Sequence, residues 1–192
     1  MARPSLRDAL LDAGFDELHA GGYAATGVAT IAATAHAPKG SFYNHFASKE
    51  ALAVEVLARY GQGRRLELLE QPNVPAVQRI RNHLGHLRAD LAAHGFRRGC
   101  MYGNFAAEAP AGAPAVTAAV TAALALWVDR LAAAIRDGQQ EGDIGDDVDP
   151  ESAAHLIVDA WEGAALRAKA ARDSAPIDNV DALVFGRILS VR

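Results

Sequence analysis

The chain of 192 residues holds a single cysteine, Cys100, so no intrachain disulfide can staple the fold. No stretch reaches 18 apolar residues without a charge, which argues against a membrane-spanning helix. The opening Met1-Ala2-Arg3-Pro4-Ser5 runs straight into an amphipathic pattern and lacks the apolar core of a signal peptide. Neither glycine nor proline gathers in a long tract, and neither a strand-period segment nor an internal repeat is present. Catalytic signatures are missing as well. There is no nucleophile elbow and no glycine-rich phosphate loop. His83 and His86 stand three apart without an acid at metal-ligand spacing, and His19, His36, His94 and His155 are scattered. These absences point to a cytoplasmic protein with no membrane partner, no catalytic residues, no metal and no cofactor.

What is present is mostly small and apolar. Hydrophobic residues make up 51% of the chain, enough for a real core, and alanine dominates them, which favours closely packed helices over sheets. The net charge of −4 is unevenly spread. Residues 51–98 carry eight Lys or Arg against four Asp or Glu, whereas residues 99–192 carry seven against fourteen. Between His36 and Lys49 there is no acidic residue at all. That segment is locally positive, and duplication in a dimer would suffice for an anionic partner.

The same segment has the most informative pattern. Val28, Ile31, Ala32 and Ala35 recur at helical spacing, and after a tight break Phe42 and Phe46 repeat the pattern on a second, shorter piece. Pro38 can open that piece, where its missing N–H would be unpaired anyway. Lys39, Ser41, Tyr43, Asn44 and His45 are left facing solvent. A helix of under three turns with one greasy side and one hydrogen-bonding side suits the DNA major groove.

Gly22-Tyr23, Ile31-Ala32, Lys39-Gly40-Ser41-Phe42-Tyr43, His45-Phe46 and Ser48-Lys49-Glu50-Ala51-Leu52 occur in an order that resembles the N-terminal domain of TetR-family transcriptional regulators. The resemblance covers roughly the first 55 residues. It implies a three-helix head with a helix-turn-helix, phosphate contacts from Tyr43, Lys49 and Thr26, and base-edge contacts from Lys39, Ser41, Asn44 and His45. Three departures stand out. Thr26-Gly27 replaces the usual pair of hydroxyl residues, so the cap of the second helix is weakened or moves to Thr26. His36 replaces the turn glycine and must accept a positive φ. Pro38 replaces the usual Ser or Thr at the start of the third helix.

Downstream, periodicity predicts an all-α fold of about nine helices. Ser5 caps a first helix that ends at Gly21-Gly22, with Gly14 tolerated because another helix approaches it closely. Ser48 caps a long helix from Lys49 to about Glu70, with Arg59, Arg64 and Arg65 on a solvated face. Further helices are expected over Pro75–His94, Cys100–Glu108, Ala115–Glu141, Glu151–Asp173 and Asn179–Ser190, with a loop over 110–114 and an acidic loop over Gly142–Asp149. The expected division is a DNA-binding domain over 1–47 and an effector-binding and dimerisation domain over 48–192. The family resemblance implies that the last two helices form the homodimer interface, with Val180, Val184 and Ile188 as an apolar seam.

Gly99-Cys100-Met101-Tyr102-Gly103-Asn104-Phe105 is similar to one branch of the family, which has a Gly-Cys-Leu-x-x-Asn-like segment here and includes repressors responsive to electrophiles and to small organic molecules. Tyr102, Asn104, Phe105, Trp127 and Trp161, with His83 from the fifth helix, either line an effector cavity or are core residues. Cys100 is either a sensor, favoured by Arg97, Arg98 and a helix N-terminus, or a small buried hydrophobe. These residues predict a homodimeric regulator, in repressor form released from a palindromic double-stranded DNA operator by a small-molecule effector or electrophile. The alternative is a small-molecule-binding protein whose head no longer reads DNA.

Overall fold

The computed structural model describes residues 5–108 and 112–190. Every regular element among them is helical: eight α-helices, two 3₁₀ segments and a π-helical stretch continuing the last helix. The chain forms two compact units, the first comprising residues up to Gly63 together with Met101–Thr121, the second comprising Arg64–Cys100 together with Ala122 onward.

The first unit begins with α1 (Leu6–Gly21), whose start is set by Ser5: its hydroxyl accepts the Asp8 N–H at 3.2 Å. Leu10 and Leu18 are fully buried on its inner face. Gly14 lies between them because α3 (Lys49–Gln62) crosses there; a Cβ on Gly14 would stand 2.6 Å from Leu52 Cδ2. The hydroxyl of Ser48 caps α3 by accepting the Ala51 N–H at 3.0 Å. α2 (Val28–Thr34) packs on α1 through Ile31 and Ala32. Its N-cap is Gly27, with no side-chain cap, because the Thr26 hydroxyl donates instead to the Glu17 carbonyl at 3.2 Å. Burial of each large aliphatic side chain here stabilises the unit by about 1.5–3 kcal/mol.

Three expectations need correcting. The long helix does not continue to Glu70. It stops at Gln62, Arg65 takes a left-handed conformation (φ 55°), and Leu66–Glu70 resumes as a 3₁₀ segment. Two glycines, Gly61 and Gly63, weaken the helix at this point more than the leucine spacing supports it. Arg59 and Arg65 are exposed as expected, pairing with Asp12 and Glu67, but Arg64 is half-buried and paired with Asp90 at 2.7 Å. The final helix, α8, starts at Ala175 rather than Asn179, because Pro176 sits in its first turn, where proline is favoured.

In the second unit, α4 (Ala76–Ala93), α7 (Pro150–Ala171), α8 (Ala175–Leu183) and the part of α6 (Pro114–Glu141) from Ala122 onward surround Ile80, Leu84, Leu131, Ile135, Ile157 and Ile177. The Asp149 carboxylate caps α7 by accepting the Ser152 N–H at 2.9 Å. Arg79 is a buried cation that joins three segments: its guanidinium donates to the Leu69 carbonyl and to Asp137, both at 2.9 Å, and to Glu141 at 3.4 Å. α6 is long and apolar enough to cross a membrane by composition alone, but Val116, Val120, Trp127, Leu131 and Ile135 along it are buried in protein. The expected loop over 110–114 lies partly outside the described residues.

Candidate nucleic-acid interface and effector region

The turn after α2 shows how the reading segment is presented. The His36 N–H donates to the Ala33 carbonyl at 3.0 Å, and the Ala37 N–H to the Ala32 carbonyl at 2.8 Å. This is a Schellman closure with His36 in the left-handed position at φ 51°, as its place in the turn requires. Pro38 then leads into a 3₁₀ helix, Lys39–Asn44. Six residues at about 2 Å each give a rod about 12 Å long, close to the width of the major groove. Phe42 and Phe46, at 0% and 3% exposure, anchor it to the head. Their rings lie 5.6 Å apart, and the Arg7 guanidinium covers Phe46 at 4.8 Å while pairing with Glu55 at 2.6 Å.

The opposite side of this segment is outward. Lys39, Tyr43, Asn44 and His45 are exposed and Ser41 is half-buried. Tyr43, at 58% exposure, is a large ring left in water. The structure brings these five residues together on one rim. Thr26 and Lys49 are not part of it. Thr26 is buried with its hydroxyl bonded inward. The Lys49 ammonium donates to the carbonyls of Tyr23 at 2.8 Å and Thr26 at 3.2 Å, and lies 4.2 Å from the centre of the Tyr23 ring. It clamps the α1–α2 turn, so the phosphate contacts implied for both residues find no support in this geometry.

The expected effector residues divide between the units. In the first, α5 (Met101–Glu108) carries Tyr102, Asn104 and Phe105, all buried. Tyr102 meets Tyr60 edge-on at 5.1 Å and its hydroxyl points to the Leu57 carbonyl at 3.4 Å; Phe105 meets Tyr23 at 5.7 Å. In the second are His83, Cys100, Trp127 and Trp161. The Trp127 ring stands edge-on to His83 at 5.8 Å and to Trp161 at 6.5 Å. Burial pushes the His83 pKa down to about 4, a shift that the nearby charges of His86 and Arg64 reinforce, so the ring is neutral at neutral pH. Cys100 is buried, and its thiol lies toward Glu162, whose carboxyl burial holds above the usual range. An open cleft of about 430 Å³ in this unit is lined by Glu70–Pro75, Arg79, Glu141 and Asp143, none of them an expected effector residue.

Sequence reasoning missed Glu162 and Glu108. Each looks like an ordinary solvated helix acid, and only the fold shows one on α7 with its carboxyl oxygens buried and the other turned back on the head. The Glu108 carboxylate accepts the Ala24 N–H at 2.5 Å, and Gly22, at φ 83°, lies so close that a Cβ there would collide with it.

A helix-turn-helix head with an exposed polar rim, joined to a helical body, defines a DNA-binding regulatory protein. Residues 10–56 match the domain of bacterial regulatory proteins of the tetR family, and residues 76–184 match the tetracyclin repressor-like C-terminal domain. The chain belongs to the TetR family. It is 33% identical over 192 residues to the HTH-type transcriptional repressor DhaR of Mycobacterium sp. (strain GP1), covering 98% of this chain and 95% of that protein. The crystal structure of regulatory protein TetR from Rhodobacter sphaeroides superposes with a TM-score of 0.87 at 33% identity, covering 95% of this chain and 98% of that one. The reduced form of Escherichia coli NemR superposes with a TM-score of 0.86 at 28% identity, covering 97% and 98%.

Proposed function

We infer that this protein is a cytoplasmic, homodimeric repressor that holds a palindromic DNA operator and lets go when a small molecule binds its body. The observation that carries the reading is the exposed rim of Lys39, Ser41, Tyr43, Asn44 and His45 on a segment anchored by two buried phenylalanines. Tyr43 reaches the backbone, and Lys39, Ser41, Asn44 and His45 lie toward base edges. Thr26 and Lys49 support the rim indirectly by holding the α1–α2 turn. Names of relatives that say repressor support the sign of regulation. Two heads set about 34–36 Å apart, or somewhat more, would meet successive major grooves. The effector acts only through its differential affinity for the two settings of the dimer, typically ~1–3 kcal/mol of coupling. Catalysis has no part in this reading.

For the dimer, α7 and α8 present Leu156, Leu166 and Leu183 outward at 53%, 58% and 60% exposure. Gly163 on α7 has nothing within 4 Å of where its Cβ would be, leaving room for a partner helix. Val184, expected in this seam, is buried in its own protomer, so the exposed leucines take its place.

The test is a gel-shift titration on the DNA upstream of the protein's own gene, against unrelated competitor DNA. A discrete competitor-resistant complex supports the reading. Equal binding to both DNAs, or none, returns the protein to the alternative of a small-molecule binder with a silent head.

A further inference from the structure

Three side chains on three helices of the second unit have buried polar atoms without a hydrogen bond. They are Trp127 Nε1 on α6, both ring nitrogens of His83 on α4, and both carboxyl oxygens of Glu162 on α7. His83 is fully buried and Trp127 is 6% exposed. The Arg65 backbone lies toward His83 and the Cys100 thiol toward Glu162, but neither meets hydrogen-bond geometry. His83 and Trp127 are neighbours at 5.8 Å, Trp127 and Trp161 are 6.5 Å apart, and Glu162 is the residue after Trp161 on α7. The Arg64 charge acts on both His83 and Glu162.

An unsatisfied buried polar group costs about 1–3 kcal/mol, and native cores contain few of them. A concentration at one place is what a binding site looks like when its guest supplies the missing partners. The charge state of the set narrows the guest. His83 is neutral, Trp127 carries no charge, burial raises the Glu162 pKa above the usual carboxylate range, and Arg64 is already paired with Asp90 at 2.7 Å. A carboxylate would enter without a free counter-charge, and burying such an ion unpaired costs several kcal/mol. An uncharged carbonyl, by contrast, accepts from the indole N–H, and an amide N–H or hydroxyl donates to the imidazole nitrogen or to the Glu162 carboxyl.

We propose that the effector is a small molecule without an anionic group, bearing a carbonyl, amide or hydroxyl group, received in the second unit by Trp127 Nε1–H, His83 and Glu162. This rests on the effector-responsive reading above, and its test uses no DNA, so the two fail separately. The full-length ¹⁵N-labelled protein shows two indole resonances, one for each tryptophan, and Trp127→Phe assigns one of them by its loss. Propanamide, butanone and propan-1-ol are titrated beside their anionic counterpart propanoate. At least one uncharged probe shifts the Trp127 indole resonance saturably, and propanoate binds at least tenfold more weakly. Glu162→Ala and His83→Phe each weaken that probe about tenfold, while circular dichroism confirms that the variants stay folded. If either variant unfolds, Trp127→Phe, read through backbone amide shifts, takes its place and shows the same loss. Overturning results are no shift with any uncharged probe, equal or tighter binding of propanoate, or unchanged affinity in the folded variants.

Discussion

His36 carries the reading segment at some expense to the head. Its left-handed conformation is one in which a side chain costs about 1–2 kcal/mol relative to glycine, part of which returns through the greater unfolded-state freedom of glycine. His36→Gly therefore stabilises the protein by roughly 0.5–1 kcal/mol, read as a higher urea midpoint. His83 has a different signature. Its folded pKa of about 4 lies below the ordinary 6.5, so the unfolded state binds the extra proton across that window. Stability falls as pH drops from 6.5 toward 4, by about 2–3 kcal/mol in total for this group. In His83→Phe the urea midpoint between pH 4 and 6.5 loses most of that slope; an unaltered slope contradicts the burial of a neutral ring. At this scale the sequence was partly legible. The positive φ of His36 follows from where it sits in the turn. The inward commitment of Lys49 and Thr26 does not, because a lysine or threonine beside a helix-turn-helix looks the same whether it faces a phosphate or a carbonyl.

Among the elements, α5 binds the head more tightly than its eight residues suggest. Tyr102 and Phe105 pack on Tyr60 and Tyr23, Glu108 accepts from Ala24, and Glu50 in the first turn of α3 accepts the Ala115 N–H at 2.7 Å at the start of α6. Glu108→Ala should lower stability by about 0.5–1.5 kcal/mol, the size of one partly exposed hydrogen bond to a charged group. Hydrogen exchange at the Ala24 amide should rise with it. Glu108→Gln, which keeps a carbonyl acceptor, should retain most of the protection; full protection in Glu108→Ala would show that the bond does not hold the turn. Helix existence was legible almost everywhere, since burial repeats at three and four residues. Ends were less so. Periodicity from Leu52 through Leu68 masks the break at Gly61 and Gly63, and the start of α8 was visible only in Pro176, whose preference for a first turn competes with its reading as a loop residue.

For the whole molecule, the outward leucines of α7 and α8 are large apolar side chains left exposed on the single chain. An obligate homodimer interface is large and apolar, commonly 2,000 Å² or more in total. A Leu166→Glu, Leu183→Glu double variant should sediment as a monomer and lose operator affinity by at least tenfold, since both heads must bind together. A dimer of unchanged stability would move the interface elsewhere. The family and the all-α architecture were legible from the head motif and the alanine-rich helical spacing. The distribution of the effector residues over two units was not, because spacing places residues on helix faces but says nothing of which helices gather into one unit.

The central claim is that the rim from Lys39 to His45 reads DNA. Fluorescence anisotropy with a labelled upstream duplex, between 50 and 200 mM salt, tests it most directly on the wild type and on a Tyr43→Ala, Asn44→Ala double variant. Both sites are outside the buried core, so the variant stays folded. The wild type should bind saturably and weaken steeply with salt, as phosphate contacts require. The variant should lose at least tenfold in affinity and show a smaller gap between operator and unrelated DNA. Wild-type affinity and selectivity retained in that variant would contradict the claim.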